Sequence, residues 1–319
     1  MWSDKVGNVS QVGGIETSVL DNGPGRGMRI AWINTGAGLR YKVLLDRAMD
    51  IGDAVFNQYN LAWLSHAGFT PPQSLSDKGL DWLRTFGGGL MSTCGLTHVG
   101  GPEKDEHGER GIHGRISNTP AEIVSIIQPD PAVGKLDMSI TGIIRESNIF
   151  GPCLELRRTI TSKLGEASIH IKDEVINRGN TTAPHMLMYH CNFGWPLADK
   201  GSRLSWNGVM TTRDGQPFPD ADAYMICRDT LPEHNGNGEQ VAFIDIAADD
   251  EGICRAGLHN PSINLGVTLS FRKSEMPWLT NWQHFGRGEY VTGIEPCTHP
   301  PIGQAAARAN NTLLFLQPG

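Results

Sequence analysis

Hydrophobic and polar residues alternate with a period of two along much of the chain, and a helical period is rare. In residues 264–272, Leu, Val, Leu and Phe stand at every second position between Gly, Thr, Ser and Arg. This pattern is typical of a strand with one solvent-exposed face, and residues 136–141 repeat it. Further strand-like runs are residues 28–34, 41–45, 60–65, 121–127, 154–162, 168–177, 186–193, 241–247, 253–259, 290–295 and 312–316.

Helical patterns are confined to two segments, residues 74–84 and 303–309. A dozen or more strands with so little helix predict an all-β protein, an antiparallel β-sandwich or barrel with few short helices, rather than a βαβ fold. No linker or internal repeat divides the sequence, so we expect a single domain over residues 1–319. The polar, turn-rich residues 199–240 are interpreted as an excursion from the sandwich.

Composition narrows the functional classes. Hydrophobic residues make up 39% of the chain and charged residues 19%, which excludes a disordered protein. A net charge of −7 without any Lys/Arg-rich run argues against binding to nucleic acid or to an acidic membrane. The six cysteines are widely scattered with no C-x-x-C pair. Together with the absence of a long apolar segment or a secretory leader, they predict a cytoplasmic protein with reduced thiols.

The common cofactor and nucleophile motifs are missing. The sequence contains no G-x-x-x-x-G-K-[ST] loop, no G-x-S-x-G elbow and no H-E-x-x-H helix. We therefore predict no cofactor and no metal for the principal function. Candidate chemistry is sought instead in polar residues that interrupt apolar strands.

The first such residues are His190 and Asn192, in the otherwise apolar run 184–196. Residues two apart on a strand share a face, so the two side chains either line a pocket or form a hydrogen-bonded pair in the core. Trp282 is a candidate pocket wall, since tryptophan often stacks on sugars, but it fits a core position equally well.

Two further candidates lie in short polar segments. His113 stands between Gly111 and Gly114, which permit a close backbone approach, and Arg115 follows two residues later. This segment is either a ligand contact or an ordinary turn with a solvated arginine. Glu295 ends the apolar run 290–295 and is a candidate general base, because partial burial raises the pKa of a carboxyl group. An edge charge is the alternative for Glu295.

A third segment, residues 44–51, places Asp46, Arg47 and Asp50 within an apolar run. Asp46 and Asp50 share a face if the strand is straight, and Arg47 lies opposite. An internal ion pair and a ligand contact are equally compatible with this arrangement.

Four motifs, taken in order, resemble one branch of the galactose mutarotase-like (aldose 1-epimerase-related) superfamily. They are Asp-Arg-Ala-Met-Asp-Ile at 46–51, Thr-Cys-Gly-Leu at 93–96, His-Gly-Arg-Ile-Ser-Asn-Thr-Pro-Ala at 113–121 and Gly-Ile-Glu-Pro at 293–296. The resemblance implies a β-sandwich with a cupped carbohydrate site. The order of His-Gly at 113–114, His-Cys-Asn-Phe at 190–193 and Gly-Ile-Glu-Pro along the chain resembles the same superfamily. By motif position, the resemblance implies that Glu295 takes the proton of the anomeric hydroxyl, that His190 protonates the ring oxygen and that His113 binds a sugar hydroxyl.

The chain departs from that superfamily in one respect that concerns the substrate. The superfamily has a sugar-binding arginine in a Gly-Arg segment before the His-Gly motif, whereas residues 86–90 read Phe-Gly-Gly-Gly-Leu. Arg47 or Arg115 is the expected substitute. The superfamily's middle-region aspartate has no identified counterpart within residues 199–240.

Two other functions remain open from the sequence. One is a metal-dependent epimerase or lyase acting on an oxidised sugar, with His113, His190 and Glu295 as ligands of a divalent ion. The other is a carbohydrate-binding protein without turnover, which would keep Trp282 but would not need His190 and Glu295 together. The expected partner in every case is a small-molecule carbohydrate, and a homodimer is left open.

Overall fold

The computed structural model describes residues 4–73, 77–234 and 236–319, and strands dominate this part of the chain. Those in the first half are β1 (Gly14–Val19), β2 (Arg29–Asn34), β3 (Leu39–Leu44), β4 (Asp50–Phe56), β5 (Tyr59–Asn60), β6 (Ser92–Leu96), β7 (Glu103–Asp105), β8 (Gly108–Arg110), β9 (Glu122–Ile127), β10 (Asp137–Ser147), β11 (Cys153–Lys163) and β12 (His170–Asn177). Those in the second half are β13 (Ala183–Gly194), β14 (Arg203–Trp206), β15 (Gly208–Thr211), β16 (Gln240–Ile246), β17 (Ile253–Asn260), β18 (Leu265–Arg272), β19 (Trp278–Gly286), β20 (Glu289–Cys297) and β21 (Leu314–Leu316).

Helices contribute little to the described residues. The two α-helices are α1 (Ala221–Tyr224) and α2 (Gln304–Ala309). Single turns of 3₁₀ helix occur at Val9–Gln11, Gly23–Gly25, Asp81–Arg84, Ile116–Asn118 and Pro131–Val133. The prediction of an all-β fold with few short helices is confirmed.

The strands pair antiparallel in five sheets. Strands β1 to β5 form one sheet in sequence order, and β12-β11-β10-β9 form a second. The largest sheet has the order β15-β16-β19-β20-β13-β21, with β6 also paired to β13. Strands β14-β17-β18 and the hairpin β7-β8 complete the set.

Sheet faces pack against one another around a common core. Buried residues of four sheets, such as Ile33, Ile140, Leu258 and Ile294, belong to one continuous hydrophobic cluster. Strand β18 shows how the sequence builds this arrangement: every second residue from Leu265 is buried or half-buried, and the residues between them are exposed. Burial of the apolar face from water is the main stabilising contribution of such a strand.

The two predicted helices have different outcomes. The segment 303–309 forms α2, as predicted. In the segment 74–84, residues 74–76 lie outside the described residues, and the rest forms turns and the 3₁₀ helix Asp81–Arg84 rather than an α-helix. Gly79 explains the difference, because its φ of +49° is a left-handed conformation that interrupts an α-helix.

The segment 199–240 also contains more regular structure than its polar sequence indicates. Strands β14 and β15 and helix α1 all lie within it. Both strands are edge strands, β14 of the three-stranded sheet and β15 of the largest one.

Candidate active site

Strands β13, β20 and β19 lie side by side in the largest sheet and bring the predicted residues together. Asn192 and Trp282 are both directly opposite Gly293, and Glu295 is opposite Thr280. Opposed residues share a face, and every second residue along a strand returns to it. His190, Asn192, Trp282 and Glu295 therefore project from one face of the sheet.

His190 and Glu295 form a buried pair on this face. Nε2 of His190 lies 3.2 Å from Oε1 of Glu295, and the two side chains are only 6% and 2% exposed. The carboxyl group of Glu295 folds back over Gly293, where an added Cβ would overlap with Oε1. Glycine at position 293 is thus the residue that leaves room for the carboxyl group beside His190.

Hydrogen bonds to Asn192 determine which nitrogen of His190 carries a hydrogen. The amide nitrogen of Asn192 donates to the carbonyl groups of Gly89 at 3.1 Å and His190 at 2.8 Å, so its side-chain oxygen is an acceptor. That oxygen accepts from Nδ1 of His190 at 2.6 Å. Neutral His190 therefore directs the lone pair of Nε2 toward Glu295. Since two lone pairs at this distance repel, the pair must share one proton.

Burial decides where that proton lies when no ligand is bound. It lowers the pKa of His190 to about 4, and the hydrogen bond with Asn192 opposes this shift. It also raises the pKa of Glu295 well above its usual value, and the nearby charge of Glu239 adds to the effect. Both shifts favour the uncharged form of each group, with the shared proton on Glu295.

One oxygen of this carboxyl group is left without a hydrogen bond. Oε1 of Glu295 is buried and has no hydrogen-bond partner among the described residues, because the contact with His190 is not aligned as a hydrogen bond. A buried polar atom without a partner costs free energy. A ligand hydroxyl at this position would remove that cost.

Aromatic rings surround the pair. The ring centroids of Phe86, Trp282 and Trp82 lie 5.2, 5.4 and 6.1 Å from that of His190. Trp63 extends this wall, since its centroid is 5.8 Å from Phe86 and 6.1 Å from Trp282. Apolar rings around a few convergent polar groups are the usual composition of a small-molecule pocket.

His113 lies beside the pair. Its backbone is left-handed, with a φ of +58°, and its ring centroid is 5.9 Å from that of His190 and 5.0 Å from that of Trp82. Burial, with a contribution from His190, lowers the pKa of His113 well below its usual value. Its Nδ1 is buried without a hydrogen-bond partner among the described residues. The structure thus brings together a neutral imidazole and the pair, as the motif position implies.

Arg47 lies in the interior, and its guanidinium group is occupied by the backbone. Its three nitrogens donate to the carbonyl groups of Thr70, Thr85 and Ser117. None of these contacts involves His190 or Glu295. The guanidinium group of Arg47 instead connects the segments that contain Thr70, Thr85 and Ser117. A contact of Arg47 with the substrate stays a prediction without structural support.

Arg115 is directed toward a different surface. Its Nη2 donates to the carbonyl oxygen of Ser147 at 2.7 Å and to Asn148 at 3.1 Å. Its charge also acts on buried Glu146, where it opposes the upward shift that burial causes in the pKa of that carboxyl group. These contacts place Arg115 apart from the pair, and its role in binding the substrate stays a prediction as well.

Two charged residues at the rim of the site were not identified from the sequence. Glu239 accepts a hydrogen bond from Nε1 of Trp282 at 2.9 Å, and Arg213 lies 3.1 Å from Glu239. The charge of Arg213 contributes to the lowered pKa of His113, just as that of Glu239 contributes to the raised pKa of Glu295. Both residues come from the polar, turn-rich segment 199–240, in which the sequence analysis identified no candidate residue.

The metal-ligand set considered from the sequence is not assembled here. Among the described residues, the donor atoms of His113, His190 and Glu295 do not form a group within 4.8 Å of one another. In the part of the chain that the structure describes, the one trio that does so is His234, His284 and Glu289.

Comparison with known proteins identifies the family. Residues 25–319 match the model of a family described as a domain of unknown function, DUF4432. The chain belongs to this family. No curated protein matches the chain significantly.

Solved structures extend the comparison to the fold. A candidate aldose 1-epimerase from Klebsiella pneumoniae superposes with a TM-score of 0.87 at 24% identity, over 98% of this chain and 83% of that one. A galactose mutarotase-like protein from Clostridium acetobutylicum gives a TM-score of 0.61 at 12% identity, over 95% and 94% of the two chains. A galactose mutarotase-like protein from Lactobacillus casei gives 0.57 at 14% identity, over 91% and 96%. The resemblance to the galactose mutarotase-like superfamily is confirmed for the fold.

The described residues contain no helix that is both long and apolar enough to cross a membrane.

Proposed function

We propose that this DUF4432 protein is an enzyme of the aldose 1-epimerase type, which interconverts the anomers of a free sugar or sugar derivative. The observation that carries the proposal is the buried pair of His190 and Glu295, with one carboxyl oxygen unpartnered beneath an aromatic wall. Two proton-transfer groups 3.2 Å apart match a reaction in which one proton leaves the substrate while another arrives.

In the proposed reaction, Glu295 accepts the proton of the anomeric hydroxyl and His190 donates a proton to the ring oxygen. The bond between C1 and the ring oxygen breaks as the C1 carbonyl forms. Rotation about the C1–C2 bond and the reverse proton transfers then close the ring as the other anomer. The pair regains its single proton at the end of each turnover, so the reaction needs no redox partner and no cofactor.

His190 must hold the shared proton when the ring opens. Asn192 supports this form, because its side-chain oxygen accepts from Nδ1 and stabilises the imidazolium ion. Sugar hydroxyl groups that donate to Oε1 of Glu295 favour the carboxylate in the same way. Substrate binding thus shifts the proton from Glu295 toward His190.

The substrate is proposed to be held by the residues that surround the pair. His113 offers a neutral imidazole for one sugar hydroxyl, and Trp282 offers a ring face. Arg213 and Glu239, which are 60% and 42% exposed, lie at the rim and take the place that Arg47 or Arg115 was expected to fill. Because the charged residues at the rim differ from the sugar-binding arginine of the superfamily, we propose a sugar other than galactose as the substrate.

The proposal also includes a location. None of the six cysteines, all within the described residues, forms a disulfide. This supports a reducing compartment such as the cytoplasm.

The test is an NMR exchange assay on the wild-type protein with a panel of neutral, acidic, deoxy and keto sugars. We expect exchange between the two anomeric signals of at least one sugar to exceed the uncatalysed rate. Binding of a sugar without faster exchange would contradict the enzyme proposal and favour the carbohydrate-binding alternative.

A further inference from the structure

A second group of polar residues lies away from His190 and Glu295, with two members on the same sheet and one in the segment before β16. His234 precedes β16, His284 belongs to β19, and Glu289 begins β20. One potential ligand atom from each lies within 4.8 Å of the other two. Nδ1 of His234 is 3.8 Å and Nδ1 of His284 is 3.7 Å from the same oxygen, Oε2 of Glu289.

The other nitrogen of each imidazole is held by the backbone. Nε2 of His234 lies 3.4 Å from the carbonyl oxygen of Arg287, and Nε2 of His284 lies 3.2 Å from that of Asn237. Histidines that bind a metal through one nitrogen usually donate the hydrogen of the other to a carbonyl or carboxylate group. At His234 the Gly236 N–H approaches Nδ1 at 3.3 Å, which fixes the hydrogen on Nε2. Both nitrogens of His284 face carbonyl oxygens, so its Nδ1 offers a lone pair to an ion when the ring donates through Nε2.

Gly286 provides the space in which the two rings meet. An added Cβ at this position would lie 2.5 Å from Cε1 of His284 and 2.6 Å from Nε2 of His234. A larger residue would therefore separate the two imidazoles. The close approach of the rings depends on this glycine.

We propose that His234, His284 and Glu289 bind one divalent cation of the zinc type. Two imidazoles and a carboxylate are a common protein ligand set for zinc, with remaining positions open to water. On binding, the ion replaces two long contacts to the Nδ1 atoms, the one from the Gly236 N–H at 3.3 Å and the one with the carbonyl oxygen of Glu289 at 3.1 Å. The side chain of Glu289 is 42% exposed, which gives the ion a path from solvent.

The position of this site indicates a structural role. His284 is opposite Val291, which lies four residues before Glu295 on β20. Four residues of strand span about 13 Å, too far for the ion to contact the proton-transfer pair. The ion would instead hold His234 in place. His234 lies five residues before Glu239, which accepts a hydrogen bond from Trp282. The cation proposal does not depend on the proposed enzyme activity.

The experiment uses the full chain after dialysis against a chelator, with Co²⁺ alone and then Zn²⁺ alone as probes. We expect one equivalent of Co²⁺ to bind with a visible absorption band, and Zn²⁺ to displace it. At a free Zn²⁺ concentration 100 times its Kd, the folding equilibrium should shift about 100-fold toward the native state, which is measured as a rise in Tm.

Three variants locate the ion. His234→Gln and Glu289→Gln should each weaken binding by about 100-fold or more, since the loss of even an outer partner typically costs 10- to 100-fold. His259→Gln is the matched control, because His259 is an exposed histidine on a different sheet. It should bind like the wild type.

Two results would overturn the proposal. One is the absence of stoichiometric binding, which would leave His234, His284 and Glu289 as an ion-pair cluster only. The other is unchanged binding in His234→Gln and Glu289→Gln, which would place the ion at another site. Neither result bears on the anomer-exchange assay, so failure here and failure of the proposed function are distinguishable.

Discussion

Two groups of charged side chains are buried in the β-sandwich, and they differ in how completely their polar atoms are satisfied. Arg158 on β11 is fully buried and donates to Asp173 at 2.6 Å, to Thr93 at 2.7 Å and to the carbonyl oxygen of Ala48 at 3.0 Å. Asp50 lies 3.4 Å from the same guanidinium group. This network connects four segments of the fold, and its opposite charges are paired.

The pair of His190 and Glu295 is equally buried but incompletely bonded. Oε1 of Glu295 and Nδ1 of neighbouring His113 have no hydrogen-bond partner among the described residues. Such atoms lower the stability of the folded protein, and a ligand that forms hydrogen bonds with them offsets this loss. The comparison separates burial with satisfied polar atoms, at Arg158, from burial that leaves a polar atom available to a ligand, at Glu295.

The largest expected effect is on activity at Glu295. Glu295→Gln keeps the shape of the side chain but removes the proton acceptor. We expect kcat for anomer exchange to fall by about 10²–10⁴-fold, the usual contribution of a general base, while the affinity for sugar changes little. Urea unfolding should show no loss of stability. Near-wild-type exchange would show that Glu295 is not the base.

The converse effect is expected at Arg158. Arg158→Leu leaves Asp50 and Asp173 buried without their positive partner, which typically costs about 3–5 kcal/mol of stability. Lys163→Leu is the control, because its ion pair with Glu166 is exposed and such pairs contribute little to stability. Equal free energies of unfolding of the two variants in urea would contradict a stabilising role of the buried Arg158 network.

Gly293 gives a subtler way to disturb the pair. Gly293→Ala adds a Cβ that overlaps with Oε1 of Glu295 and pushes the carboxyl group away from His190. Misplacement of a catalytic group by about 1 Å can cost on the order of 10²-fold in rate. We expect a loss of that size in kcat with a near-native circular dichroism spectrum. Gly266→Ala, at an exposed position of strand β18, should leave the rate unchanged.

The smallest predicted effect is the pH dependence of exchange. Burial lowers the pKa of His190 to about 4 and raises that of Glu295, so the pair holds one proton between these two values. Below pH 4 it gains a second proton and loses its base, whereas above the raised pKa of Glu295 it loses its acid. The rate should fall by about tenfold per pH unit outside this window. A rate that rises as the pH falls below 4 would contradict the shared proton.

The alternation of residues predicted most of the long strands, but it did not predict β1, β4, β6 or β19. A physical reason is evident for β19. That strand carries Thr280, Asn281, Gln283 and His284, all of which are buried, so its two faces do not differ in polarity. The amide nitrogen of Gln283 donates to Asn281 at 2.9 Å and to the carbonyl oxygen of Tyr224 at 3.0 Å. A strand whose polar side chains are satisfied by tertiary contacts has no period that its own sequence reveals.

Site residues were predictable where a motif carried them. His113, His190 and Glu295 lie in segments whose order resembles a known superfamily, and the structure brings all three together. Arg213 and Glu239 were not found, because their position beside Trp282 depends on how β15 and β16 pair with the sheet. The pairing register of β15 and β16 depends on tertiary contacts, so it cannot be inferred from the pattern of residues in this segment.

The most direct test of the central claim is a double-variant comparison by NMR anomer exchange. Glu295→Gln, His190→Gln and the double variant are measured on the same sugar, each after its fold has been checked. If the two groups act as one proton relay, the double variant should lose much less than the product of the two single losses. A loss equal to that product would mean that His190 and Glu295 act independently, which would contradict this account.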